Sequence, residues 1–242
     1  MTALLAPTQS NIMKTLRTFI LSVVPSGVAV VDGQDNRVSE PAGSDFVVMT
    51  PIRRDRLSTN VDTYVDALFT GSIAGNILTV SAVSFGAIKI GSPVLGSGVM
   101  ANTSVTALGS GSGGTGTYTI NNPQNLGSRP IACGVAAILQ PTRVIVQLDV
   151  HGPGSNDNAQ IIATALRDEY AYESFKASGF DVTPLYAEDP RQIPFLNDQQ
   201  QYETRWVIEA AMQANQVVTV PQEFAGVVTV LTKSIEEAFP AS

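Results

Sequence analysis

Apolar residues recur at Ile12, Leu16, Phe19, Ile20 and Val23, a spacing of three and four that lays one hydrophobic stripe along a helix. Thr8 or Ser10 is placed to cap its start, and Pro25 and Gly27 to end it. Two short apolar runs, Val28–Val31 and Phe46–Thr50, read as strands separated by a polar turn. Farther on, Arg143–His151 alternates cleanly. Val144, Val146, Leu148 and Val150 share one face, with Arg143, Gln147, Asp149 and His151 on the other. HGPGSN breaks that strand, and Ser155 or Asn156 can cap a following helix in which Ile162, Leu166 and Tyr170 stack at i, i+4 and i+8 beside Ile161 and Ala165. After a stretch punctuated by Pro184, Pro190 and Pro194, Gln201–Ala214 reads as a long strand with Thr204, Trp206, Ile208, Ala210 and Met212 on one side. Phe224–Phe239 stays open: Val227–Val230 favours a strand, while SIEEAF suits a helical turn.

The middle of the chain follows another pattern. From Thr70 to Ser128 the single charged side chain is Lys89, and 12 of the 20 glycines fall there. Short β runs alternate with glycine turns: Asn76–Val83, Ala87–Ile90, Thr103–Leu108 and Thr117–Ile120, broken by GSGV and GSGSGGTG. A disordered linker would have no reason to space apolar β runs so regularly. The expected organisation is a discontinuous α+β domain from residues 1–69 and 135–242, with a mixed or antiparallel sheet and packed helices, interrupted by a small all-β module at 70–134.

Composition narrows the function classes. The 242 residues allow one large domain or two small ones, and 44% hydrophobic content suffices for an ordinary core. Only 14% of residues are charged, against roughly a quarter in a typical soluble domain, which suits a protein that hides surface in an assembly. A net charge of −7 argues against gripping nucleic acid, although DNA could pass nearby without being held. One cysteine, Cys133, permits neither an intrachain disulfide nor a thiolate zinc cluster. The opening MTALLAPTQSNIMK lacks the basic and continuous apolar regions of a secretory signal, and no run reaches the length of a membrane span. These features lead us to expect a soluble protein made in a reducing cytoplasm, with no membrane partner and no cofactor.

No constellation of catalytic residues or metal ligands stands out. His151, the single histidine, has neither a matched nucleophile nor an orienting acid in any recognisable motif. Gly109–Gly116 lacks the GK[ST] ending of a phosphate-binding loop and reads as a turn. Asp62 with Asp66, and Glu188 with Asp189, are carboxylate pairs without a further ligand pattern, hence solvated loop charges. Trp206 fits a core position at strand spacing, although Trp206 and Tyr202 could also anchor an interface. Cys133 suits a small buried residue. Arg53, Arg54 and Arg56 form the one basic cluster; they could face DNA, be solvated or, the reading we favour, contact carboxylates of a neighbouring subunit, because arginine offers paired hydrogen bonds and is enriched at interfaces.

Three blocks in order, DFVVMTPIRRDRLSTNVDTY (Asp45–Tyr64), VQLDVHGPGSNDNAQIIATALRDEYAYESF (Val146–Phe175) and the run from Pro184 to Ala225, resemble the phage neck terminator, or tail terminator, family. The glycine-rich segment, with GSGV and GTGTYT, resembles a small β module found inserted in assorted phage structural proteins. The resemblance implies a non-enzymatic virion protein at the tail–neck junction, assembled in the host cytoplasm. It further implies a homo-hexameric ring seated on the tail tube protein, in contact with neck and head–tail connector proteins, with genomic DNA passing unbound through the lumen. Two other readings remain: a stopper protein touching the portal complex, and a carbohydrate-binding surface module carried by the segment, whose aromatics Phe85 and Tyr118 come without a tryptophan.

Overall fold

The computed structural model describes residues 3–33, 45–196 and 202–221. The region Phe224–Phe239, whose pattern favoured no single element, lies outside them. In chain order the elements are β1 (Leu4–Ala6), α1 (Gln9–Val23), β2 (Ala29–Asp32), β3 (Phe46–Arg56), β4 (Val61–Gly86), β5 (Val94–Leu95), β6 (Val105–Leu108) and β7 (Gly116–His151). There follow α2 (Ser155–Leu166), α3 (Glu169–Ala177), β8 (Val182–Ala187), β9 (Arg191–Gln192), β10 (Phe195–Leu196), β11 (Tyr202–Glu203) and β12 (Arg205–Pro221). The fold class is α+β, with a mixed open sheet. The chain divides into two compact units, one containing Tyr64–Ala136 and the other the described residues of Thr2–Thr63 and Ala137–Thr219. Their hydrophobic clusters share no residue.

In the second unit, β2 pairs parallel with β3, and β3 antiparallel with β7, from Phe46 opposite His151 to Arg56 opposite Thr142. A register shift at Pro51–Arg53 accommodates the proline, which has no N–H to give the ladder. The strand order continues from β7 to β12, whose far side pairs with β9, β8 and β1. The alternation at the end of β7 is realised: Val144, Val146, Leu148 and Val150 face the helices, joined by Val47 and Met49 of β3 and Ile208, Ala210 and Met212 of β12. Each large side chain fully buried there contributes about 1.5–3 kcal/mol. The opposite face of β7 is also covered, since Ile145, Asp149 and His151 are buried. Trp206 packs against the helix-side core, as its strand position suggested.

Helix α1 forms where the apolar stripe places it. Thr8 is its N-cap: the hydroxyl oxygen accepts from Asn11 N at 3.3 Å, and Asn11 Oδ1 accepts from Thr8 N at 2.9 Å. The helix stops because Val24 precedes Pro25 and turns extended. The stack expected from Ile162 to Tyr170 does not lie on one helix. Leu166 ends α2, and Asp168 caps α3 by accepting from Tyr170 N at 3.0 Å. A strong capping side chain in mid-pattern competes with helix continuation. Neither Ser155 nor Asn156 caps α2: Gly154 holds that position without a side-chain cap, and its N–H donates to Asp45 Oδ1 at 2.8 Å.

Outer strands are tied to the helices. Arg17 Nε donates to the Val30 carbonyl of β2 at 2.8 Å, and Arg167 Nε to the Ala187 carbonyl of β8 at 2.8 Å. Within β8, Pro184 lies beside a register shift in β12.

In the unit containing Tyr64–Ala136, Asn76–Val83 is part of the longer β4. That strand folds back on itself about Gly75 (φ +61°): Ser81 Oγ donates to the Thr70 carbonyl at 3.1 Å, and Gly86 lies against the Asp66 carbonyl. A Cβ on Gly86 would come within 1.6 Å of that oxygen, so only glycine fits. Ala87–Ile90 is not a strand. It turns instead, Ile88 N donating to the Gly113 carbonyl at 2.9 Å while its side chain enters the core. Thr103–Leu108 shortens to β6, and Thr117–Ile120 falls inside β7. The core gathers Phe69, Leu78, Val105, Tyr118, Ile131 and Cys133 among others.

Candidate assembly surface

Strand alternation splits the arginine cluster. Arg53 and Asp55 project to one side of β3, Arg54 and Arg56 to the other. On the first side Arg53 Nε sits 3.0 Å from Asp55 Oδ2, and Arg143, directly across on β7, places NH2 2.8 Å from the same oxygen. Arg143 NH1 also reaches Tyr186 Oη at 3.4 Å. The hydrogen bond from Arg143, reinforced by the charge of Arg53, holds the Asp55 carboxyl below the usual carboxylate range. One carboxylate thus faces two guanidinium groups, and Arg53 stays 58% exposed in its side chain.

On the helix side, Arg54 NH1 donates to Gln216 Oε1 at 2.8 Å, and Arg54 NH2 donates to Gln9 Oε1 in the first turn of α1. Gln216 Nε2 in turn donates to the Pro7 carbonyl at 2.7 Å. Arg54 therefore fastens β3, β12 and the start of α1. Arg56 meets Gln140: with the amide oxygen turned toward it, that oxygen accepts from Arg56 Nε at 2.8 Å and NH2 at 2.9 Å. Arg53 is the member of the trio that combines high exposure with a second cation already sharing its acid.

The remaining candidates separate. His151 is buried and stacked on Phe46, ring centroids 4.6 Å apart and planes 5° from parallel. Asp189 pairs with Arg167 at 3.1 Å, and Glu188 N donates to the Glu209 carbonyl at 2.9 Å. Among the described residues no three His, Cys, Asp or Glu side chains converge. Asp62 lies exposed in β4. The Gly109–Gly116 turn is filled from within: Tyr118 Oη accepts from Gly113 N at 2.9 Å and donates to the Gly114 carbonyl at 2.6 Å, leaving no cradle for a phosphate. Cys133 is fully buried, and desolvation pushes its thiol up to about 12.

Sequence reading did not find the Asp55–Arg143 or Arg54–Gln216 contacts. The partners lie 88 and 162 residues apart, and nothing local in either segment announces the other. The strict alternation of Arg143–His151 was the one available signal for the first, since it fixed which face Arg143 occupies.

Residues 111–237, just over half of the chain, match the family model described as phage neck terminator protein. The match takes in Val146–Phe175 and Pro184–Ala225, begins within the glycine-rich segment, and leaves Asp45–Tyr64 outside. No curated protein matches the chain.

Proposed function

The chain belongs to the phage neck terminator family, which makes it a structural neck or tail component of a bacteriophage particle, and from that membership we propose that it is the ring subunit that ends the tail tube and joins it to the neck. The family match carries this reading. The mechanism is geometric. A head-to-tail contact repeated around an axis closes after a fixed number of subunits, six here, and a closed ring offers no end for further growth. One surface of the ring mates with the last layer of tube protein and the other with connector proteins. Because the two surfaces differ, tube polymerisation stops.

Two observations support parts of this reading. A net charge of −7 suits a lumen through which DNA slides without being gripped, because tight binding needs clustered cations on phosphates. A separate hydrophobic core made of residues from Ala67 to Cys133 supports a module carried by the ring subunit, with Ala67 and Phe69 belonging to it ahead of the expected start at residue 70. Arg53, Arg54 and Arg56 are the proposed intersubunit contacts. Arg53 is the foremost, given its exposure and shared acid.

Electron microscopy of purified particles, with an antibody or tag on this chain, tests the proposal. A six-fold ring between tail tube and neck is the expected image. Density confined to the capsid, the baseplate or the fibres would overturn it.

A further inference from the structure

The helical layer of the unit formed by Thr2–Thr63 and Ala137–Thr219 carries a helix ridge with two cations, Lys14 and Arg17, which also line a pocket with Asp32 of β2, and a groove with two acids. Helix α1 contains Lys14 and Arg17 and no acid. Its outward line runs Lys14, Thr18, Leu21 at helical spacing, all exposed, with Leu21 45% accessible. Arg17 is exposed next to that line while its Nε holds the Val30 carbonyl at the outer strand β2. Along the exposed face of α2 and the start of α3 lies a groove of about 720 Å³, whose Tyr170 meets Phe19 of α1 with ring centroids 6.4 Å apart. Its apolar lining includes Ile161, Ala165 and Tyr170, and Asp157 and Asp168 supply its carboxylates. Ile161 and Tyr170 are 39% and 51% exposed, so both leave apolar surface in water.

We propose that the α1 ridge of one copy of this chain seats in the α2–α3 groove of the next. The placement would bring Leu21 onto Ile161 and Tyr170 and Lys14 toward Asp157. The chemistry favours a second copy because the chain supplies both halves. A cationic helix ridge with one projecting leucine faces a groove with an apolar lining and two acids, and ridge-into-groove packing is how helices generally meet. Ridge and groove are different surfaces of the chain, so seating one copy's ridge in the next copy's groove is a head-to-tail contact that can propagate around a ring. This inference rests on the ring reading above and names the surfaces that would close it. The buried leucine supplies affinity, and the charges supply orientation and rate.

Charge swapping on the full-length chain tests it, read by light scattering at low and high salt and by particle imaging. Wild type is expected to self-associate, more strongly at low ionic strength. Lys14→Glu and Asp157→Lys should each weaken association by roughly tenfold or more by setting like charges together. An equimolar mixture of the two variants, and the doubly substituted chain, should regain it. Asp157 lies in the first turn of α2, so its reversal also weakens that helix. Leu21→Asp is therefore the independent variant, expected to stay folded by circular dichroism and to lose association. Unaltered association in Lys14→Glu and Leu21→Asp, or failure of the paired reversals to rescue, overturns the ridge-and-groove contact while leaving the ring itself standing. Wild-type chain that stays monomeric at every concentration and salt also overturns this contact. A location away from the neck would instead overturn the proposed function.

Discussion

Arg205 places Nε 2.9 Å from Asp149 Oδ1 across β12 and β7, on the sheet face turned away from the helices. Gln147 Nε2 donates to Asp149 Oδ2 at 2.9 Å, so the carboxylate is held from two directions. The Asp149 side chain is 9% exposed and that of Arg205 23%. Removing one partner of such a pair leaves a charge with little access to water, whereas replacing both with apolar groups does not. Asp149→Leu and Arg205→Met should each cost about 2–3 kcal/mol alone, and the two together much less. Urea denaturation of the wild type and the three variants gives the coupling, and additive costs would mean that the two groups do not act together.

Tyr118 is fully buried, and among the described residues its hydroxyl is the side-chain partner of both Gly113 N and the Gly114 carbonyl. Tyr118→Phe keeps the ring and strands both backbone groups. The expected cost is about 1–2 kcal/mol, seen as an earlier unfolding transition. Hydrogen exchange should show the loss at the Gly109–Gly116 turn first.

Cys133 gives a chemical reporter of the same core. With its thiol raised to about 12, almost no thiolate exists at pH 8, and the side chain has no exposed surface. A thiol reagent should leave the native chain nearly unlabelled at pH 8 and react fully in denaturant. Rapid native labelling would show that this unit opens far more often than its packing indicates.

The Asp55 carboxyl has a folded pKa below its unfolded value, so it contributes stability above about pH 4. That contribution disappears as pH falls through the lower, folded value, where Arg53 and Arg143 lose their anionic partner while keeping their own charge. The effect is modest because the group is partly exposed to water. Melting temperatures of wild type and Asp55→Asn should differ most at pH 6 and converge toward pH 2–3. A difference that grows on acidification would contradict the assigned direction.

How much of this was legible in the chain depended on the range of the interactions involved. Periodicity located α1, the end of β7 and the start of β12 because burial on one face writes a local pattern, and Val144 to Val150 write it without interruption. The α2–α3 break was hidden because Leu166 and Tyr170 keep helical spacing across it, while the deciding event is the Asp168 side chain turning back to Tyr170 N. The full lengths of β3 and β4 were hidden by Pro51 and Gly75, which read as punctuation; the first is absorbed by a bulge and the second turns a strand back on itself. At the arginine cluster, the chain groups three residues that strand alternation splits, because β3 runs on past Thr50, where its apolar run stops. The identities of Asp55, Gln216 and Gln140 as partners arise from tertiary placement alone.

The guanidinium of Arg17 on Val30 and that of Arg167 on Ala187 have a consequence for the waiting pool of subunits. A row of open carbonyls on an outer strand is a template on which another chain can zip, and that process has no stopping number. Here two outer strands already have carbonyls engaged by the protein's own helices, and Pro184 denies one of them an N–H to offer. Crowded, unassembled copies are thereby steered off the route to fibrils. In the proposed ring, growth is left to contacts between side chains, which can be weak one at a time, reversible while errors are corrected, and finite once they close.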